Sequence, residues 1–188
     1  QISAIKGEPD WMAELRLATL EHAAKLVPSN ADVRGCLASA LMGVGRTRDA
    51  IPHFDEAIRL DPTDPWRRFH VGLALADLGE HGAAIERYRQ ALELAPDLDL
   101  AWMGLAKSLA AEGRPAEAIP VFVKLFAFWP NNAGVLVDLA NAYAGAGDEP
   151  RAAQAIELAF RVNPVQAALA LRQGEEAARP APGASSPP

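Results

Sequence analysis

Apolar residues recur at three- and four-residue spacing along most of this chain, and polar punctuation interrupts them at a fixed interval. Pro28, Pro62, Pro96, Pro130 and Pro164 follow one another every 34 residues. Counted back from the last four prolines, a glycine stands 17 residues earlier at Gly45, Gly79, Gly113 and Gly147. An alanine stands 12 residues earlier, at Ala50, Ala84, Ala118 and Ala152. Eight before come Phe54, Tyr88, Phe122 and Ile156; five before come Ala57, Ala91, Leu125 and Ala159. An ordinary globular core has no need of such regularity, so the chain reads as an array of copies. Each copy is predicted to hold a helix of about 13 residues, a turn at the glycine, and a second helix ending near the proline.

Local chemistry supports this reading. Asn30, Asp64 and Asn132 are good caps for first helices, and Pro65 falls at a first-turn position with no hydrogen bond to lose. Thr47 and Asp148 start second helices. The alanine column lets the two helices of a copy approach closely. Phe54, Tyr88 and Phe122 fill the space between copies, each contributing about 2–3 kcal/mol by burial. Residues 31–64, 65–98, 99–132 and 133–166 form four full copies. Residues 1–30 form a partial copy, the end of a truncated first helix followed by its partner from residue 10. Residues 167–179 are a helix that covers the last copy, and the Pro-, Ala- and Ser-rich residues 180–188 form a disordered tail. Departures from the pattern are Arg16 in the alanine column, Leu125 in another small column, and Pro52 and Pro120 inside second helices.

The columns resemble the tetratricopeptide repeat family, in which W-x2-L-G-x2-Y in a first helix precedes A-x3-F and P in a second. The third copy has Trp102-x2-Leu105-Ala106-x2-Leu109, Ala118-x3-Phe122 and Pro130; the second has Val71-Gly72-x2-Leu75, Ala84-x3-Tyr88 and Pro96. The resemblance implies an all-α, right-handed superhelix of antiparallel helix pairs. It also implies a concave groove lined by first helices and a convex side lined by second helices.

Composition narrows the functions. The net charge of −6 and a single cysteine among 188 residues argue against nucleic acid as main partner and exclude an internal disulfide. No run of apolar residues reaches the length of a membrane span, so no direct membrane insertion is expected. The chain starts at Gln1 without methionine, so its natural start is expected upstream or removed, and the compartment stays open. His53 with Asp55 and Glu56 is not a metal site by pattern, since only residues 53 and 56 share a helix face; a solvated polar face is expected instead. Cys36 reads as a small packing residue. No catalytic constellation, cofactor loop or metal set is found, and the reading is of a protein without enzymatic activity, cofactor or metal.

The surface remains. A stripe at three-, four- and three-residue spacing on each first helix faces the implied groove. It reads Asp32, Gly35, Ser39, Met42; Trp66, Phe69, Leu73, Ala76; Leu100, Met103, Lys107, Ala110; and Gly134, Val137, Asn141, Ala144. Relatives that clamp a terminal carboxylate carry Lys, Arg and Asn where this chain has Gly35, Ser39, His70, Leu100 and Gly104, so that clamp is absent. The stripe instead favours an apolar or amphipathic segment of another protein. Ser39, Met42, Trp66, Phe69, Leu73, Leu100, Met103 and Val137 line its path, with Lys107 and Asn141 for polar groups. Phe128 and Trp129 close an aromatic run that offers a possible outer contact patch. The leading expectation is a scaffold, adaptor or chaperone-like binder of proteins. The alternatives are the interaction domain of a larger enzyme such as a transferase, and a self-assembling scaffold.

Overall fold

The computed structural model describes the backbone of residues 10–178 and the side chains of residues 11–174. The truncated first helix predicted before residue 10 and the tail after residue 179 lie outside the described residues. All regular structure among those residues is α-helical: α1 (Asp10–Leu26), α2 (Ala31–Gly43), α3 (Thr47–Leu60), α4 (Pro65–Asp77), α5 (His81–Leu94), α6 (Asp99–Ala111), α7 (Pro115–Phe128), α8 (Ala133–Gly145), α9 (Glu149–Val162) and α10 (Pro164–Ala178). First helices start at residues 31, 65, 99 and 133 and second helices at 47, 81, 115 and 149, so both series advance by 34.

Helix ends follow from side-chain chemistry. Asn30 accepts from the backbone N–H groups of Asp32 and Val33, Asp64 from that of Trp66, and Asn132 from that of Gly134. These bonds satisfy donors that a helix start otherwise leaves open. Asp148 caps α9 through the N–H of Arg151, whereas Arg46, before Thr47, caps α3 with no side-chain bond. The turn glycines have φ of 79°, 79°, 75° and 79° at positions 45, 79, 113 and 147, a left-handed geometry that penalises any Cβ. At Gly45 the N–H of Arg46 returns to the Leu41 carbonyl at 2.8 Å, closing the helix end as a Schellman turn. Pro52 and Pro120 lie inside α3 and α7, which remain continuous helices.

The chain divides into two compact units between residues 112 and 113. In the first, α2 packs on α3 and α4 on α5, while α1 lies on α2, α3 on α4, and α5 on α6. Ala50 and Ala84 are wholly buried, and beside them Phe54 and Tyr88 fill the gaps between helices. The Tyr88 ring is wedged between two helix-interior glycines: a Cβ added at Gly72 would lie 2.7 Å from it, and one at Gly104 2.5 Å. In the second unit α8 packs against α7 and α9, and α10 covers both α8 and α9. Phe122, Leu125, Val135 and Leu136 form its core, Leu125 filling the column that holds alanine in other copies. Gln166 of α10 fastens this covering: its Oε1 accepts from the Ala133 N–H at 2.9 Å, and its Nε2 donates to Asn132 at 3.0 Å.

Candidate protein-binding groove

In the first unit an open cavity of about 1100 Å³ runs along α2, with α1 on one side and α4 on the other. The α2 floor is narrow, made of Gly35, Cys36, Ser39, Ala40 and Gly43. The α1 wall supplies Trp11, Met12, Leu15, Arg16, Thr19 and Leu20. Trp66 and His70 of α4 and the edge of Phe54 form the other side. Trp11, Leu15 and Trp66 are 62%, 59% and 45% exposed, so the groove presents large apolar surfaces to solvent.

The aromatic side is built in layers. Trp66 meets Phe69 edge-on with centroids 5.7 Å apart, and Phe69 reaches on to Tyr88 at 6.0 Å. His70 stacks on Phe54 at 5.6 Å and an interplanar angle of 8°. Its Nδ1 lies 2.7 Å from the Trp66 carbonyl oxygen; a carbonyl only accepts, so Nδ1 carries the hydrogen. Burial pushes the His70 pKa down, against the opposing effects of that hydrogen bond and of Asp64, and the ring is neutral at physiological pH.

Where the first turns of α2 and α4 meet, buried Arg67 gathers three carboxylates. It donates to Asp32 at 2.8 Å and to Asp61 at 2.5 Å, and its Nε lies 3.5 Å from Asp64. The Asp61 backbone carbonyl takes a further bond at 3.1 Å. Hydrogen bonding from Arg67, assisted by the Thr63 hydroxyl and N–H, holds the Asp61 pKa down to about 2. Three anions share one cation in this cluster, and of the three Asp32 and Asp64 line the groove. The column that holds Arg67 is otherwise apolar (Val33, Ala101, Val135), so a charge in an apolar column was the signal that stripe reading passed over.

Two of the predicted groove residues, Ser39 and Trp66, line this cavity. Also in the first unit, Met42, Leu73 and Met103 are half-buried, Leu100 and Lys107 are exposed, and Phe69 is buried behind Trp66. In the second unit Val137 is buried and Asn141 exposed. There Phe128 is exposed with the Lys124 ammonium 6.0 Å from its ring centre, and half-buried Trp129 borders a shallow depression with Asn132 and Gln166. Cys36 departs from the expected packing role: it is exposed on the groove floor. His53 is half-buried instead of solvated, with Arg34 Nη1 3.4 Å from its Nδ1. Its pKa is lowered first by burial and then by Arg34. Trp11, Met12 and Leu15 were missing from the sequence reading, which took α1 by its core face alone. Among the described residues no three His, Cys, Asp or Glu side chains group to hold a metal, and no helix is long and apolar enough to cross a membrane.

Sequence models described as tetratricopeptide repeat match residues 36–99, 71–133 and 109–174. The Hsp70-Hsp90 organizing protein of Triticum aestivum is 29% identical over 123 residues, which are 65% of this chain and 21% of that protein. The chain thus spans about a fifth of that relative's length. Among solved structures, MamA superposes with a TM-score of 0.77 at 21% identity, covering 85% of this chain and 87% of that one. YrrB, described as a tetratricopeptide protein with an unusual peptide-binding site, gives a TM-score of 0.77 at 22% identity over 87% of this chain and 84% of its own. These likenesses establish the fold.

Proposed function

Since this chain belongs to the tetratricopeptide repeat family, we propose that it is a non-catalytic module holding an apolar or amphipathic segment of another protein in the groove along α2. Its general role, protein–protein interaction, goes with the family. The specific reading rests on one observation: Trp66 and Trp11 stand largely exposed on two sides of an open cavity with a small-residue floor. Exposed indole rings are unfavourable in water and are good anchors for a partner. YrrB's described peptide-binding site is a property of that protein, and it supports a peptide as the kind of occupant here. The absence of a carboxylate clamp directs the reading away from recognition of a chain end and toward an internal segment.

The test uses synthetic amphipathic peptides of about 18 residues, long enough to form helix on contact. Their binding is measured by calorimetry against wild type, Trp66→Ala and Phe69→Ala. Trp66→Ala should weaken binding about tenfold with little change in melting temperature, because the side chain is half exposed. Phe69→Ala should lower the melting temperature, because that ring is buried against Trp66 and Tyr88. Wild-type affinity in the Trp66→Ala chain sinks the groove reading.

A further inference from the structure

We propose that the groove receives a basic amphipathic α-helix, laid along α2 with its cationic flank against Asp32 and Asp64. This deepens the reading above and rests on it. Three features select the occupant. The first is size: about 1100 Å³ exceeds the roughly 300–1,000 Å³ of small-molecule sites and is open along its length, which suits a polypeptide.

The second is charge. Asp32, Asp61 and Asp64 share the single guanidinium of Arg67, which is itself buried and already engaged by all three. An incoming carboxylate finds no cation there, while an incoming Lys or Arg meets the Asp32 side chain, 86% exposed although one oxygen binds Arg67. Arg16, the other cation of the lining, stands on the α1 wall, so the lining's carboxylates, Asp32 and Asp64, gather at the shared start of α2 and α4. A helix with its basic residues at the shared start of α2 and α4 and its apolar face toward Trp11, Leu15 and Trp66 matches both.

The third is the floor, and it agrees with a helical occupant. Gly35, Ser39 and Gly43 repeat every four residues along one face of α2. A Cβ at Gly35 or Gly43 would meet nothing within 4 Å, whereas Gly72 and Gly104 are demanded by Tyr88. Among the described residues nothing in the packing requires the two open glycines, which weaken α2 relative to alanine. They leave a smooth lane about 12 Å long, along which a second helix backbone approaches closely.

The experiment compares three synthetic peptides of about 18 residues: a Leu/Lys amphipathic helix, its Leu/Glu counterpart, and a Leu/Lys sequence of equal composition in scrambled order. Binding to the full chain is measured calorimetrically at about 0.15 M salt. The Leu/Lys helix should bind about tenfold or more tighter than the other two, and Asp32→Asn should weaken it severalfold. Gly35→Leu with Gly43→Leu fills the lane and should abolish binding with an unchanged or raised melting temperature. Should that double variant lose helicity, maleimide labelling of Cys36 on the same floor serves instead: bound peptide should slow the labelling, and the labelled chain should not bind. Equal affinity for the Leu/Glu peptide overturns the assignment of charge. Undiminished binding with the lane filled or Cys36 blocked overturns the site; loss in Trp66→Ala at the same time leaves the broader groove reading standing. Concentration-dependent dimerisation in sedimentation that the lane-filling variant abolishes makes a second copy the occupant, and overturns the proposal.

Discussion

Replacing Gly72 by alanine probes the wedge around which the first unit packs. The new Cβ would lie 2.7 and 2.8 Å from two carbons of the Tyr88 ring and 3.1 Å from a third. Unstrained carbon contacts need about 3.5 Å or more, so the ring must retreat by about 0.8 Å. It has nowhere to go. Tyr88 is 1% exposed, and it lies so near α6 that a Cβ added at Gly104 would likewise fall 2.5 Å from the ring. Overpacking of this kind costs about 1–3 kcal/mol, and alanine returns about 1 kcal/mol of helix propensity. A net loss of up to about 2 kcal/mol is therefore expected, read from urea unfolding followed by circular dichroism with an unchanged slope. Gly35→Ala is the control: nothing stands within 4 Å of its Cβ, so that chain should gain about 1 kcal/mol. The same chemical change in two first helices thus takes opposite signs. In a Tyr88→Leu background the penalty at Gly72 should vanish. A Gly72→Ala chain that gains as much stability as Gly35→Ala would refute the packing argument.

Two further outcomes are expected. Burial keeps the folded-state pKa of His70 below its ordinary 6.5, so the unfolded chain takes up the proton first, and stability should fall as pH drops below about 6.5. His70→Phe retains a ring to stack on Phe54 and should show a shallower decline between about pH 7.5 and 5; identical pH profiles for the two chains would contradict this. Gln166→Ala removes both bonds that tie α10 to the start of α8 and should cost about 1–2 kcal/mol, seen as faster hydrogen exchange in α10 with α3 and α4 unaffected.

The array was legible in the sequence because stacking repeats the same physical demands every 34 residues. A small residue is needed where two helices touch, a ring where copies meet, and a glycine where the backbone turns left-handed. Trp66 was legible for the same reason, as a large apolar residue outside the core columns. What the columns hide is any element whose job differs from copy to copy. Trp11, Met12 and Leu15 stand where the next copy has Gly45, Arg46 and Asp49, so no apolar column marked them, and only the greater length of α1 and Arg16, out of place in the alanine column, set it apart from the other second helices. Phe69 shares the stripe spacing of Gly35 and Met103, yet its larger side chain leans back between Trp66 and Tyr88 and leaves the surface. Spacing places a Cβ, but side-chain size decides how far it reaches. Arg67 shows the converse: an apolar column accepts a guanidinium when two aspartates of the preceding loop and one of a neighbouring helix converge on it.

The fit of Tyr88 between two glycines has a consequence in time as well as in space. A phenol ring packed this closely against the backbones of two helices is expected to turn over only when α4 and α6 move apart. Its two edges then keep distinct magnetic surroundings, and the rate at which their signals interchange measures how often the stack breathes. One buried tyrosine is thus a built-in clock for the separation of α4 from α6.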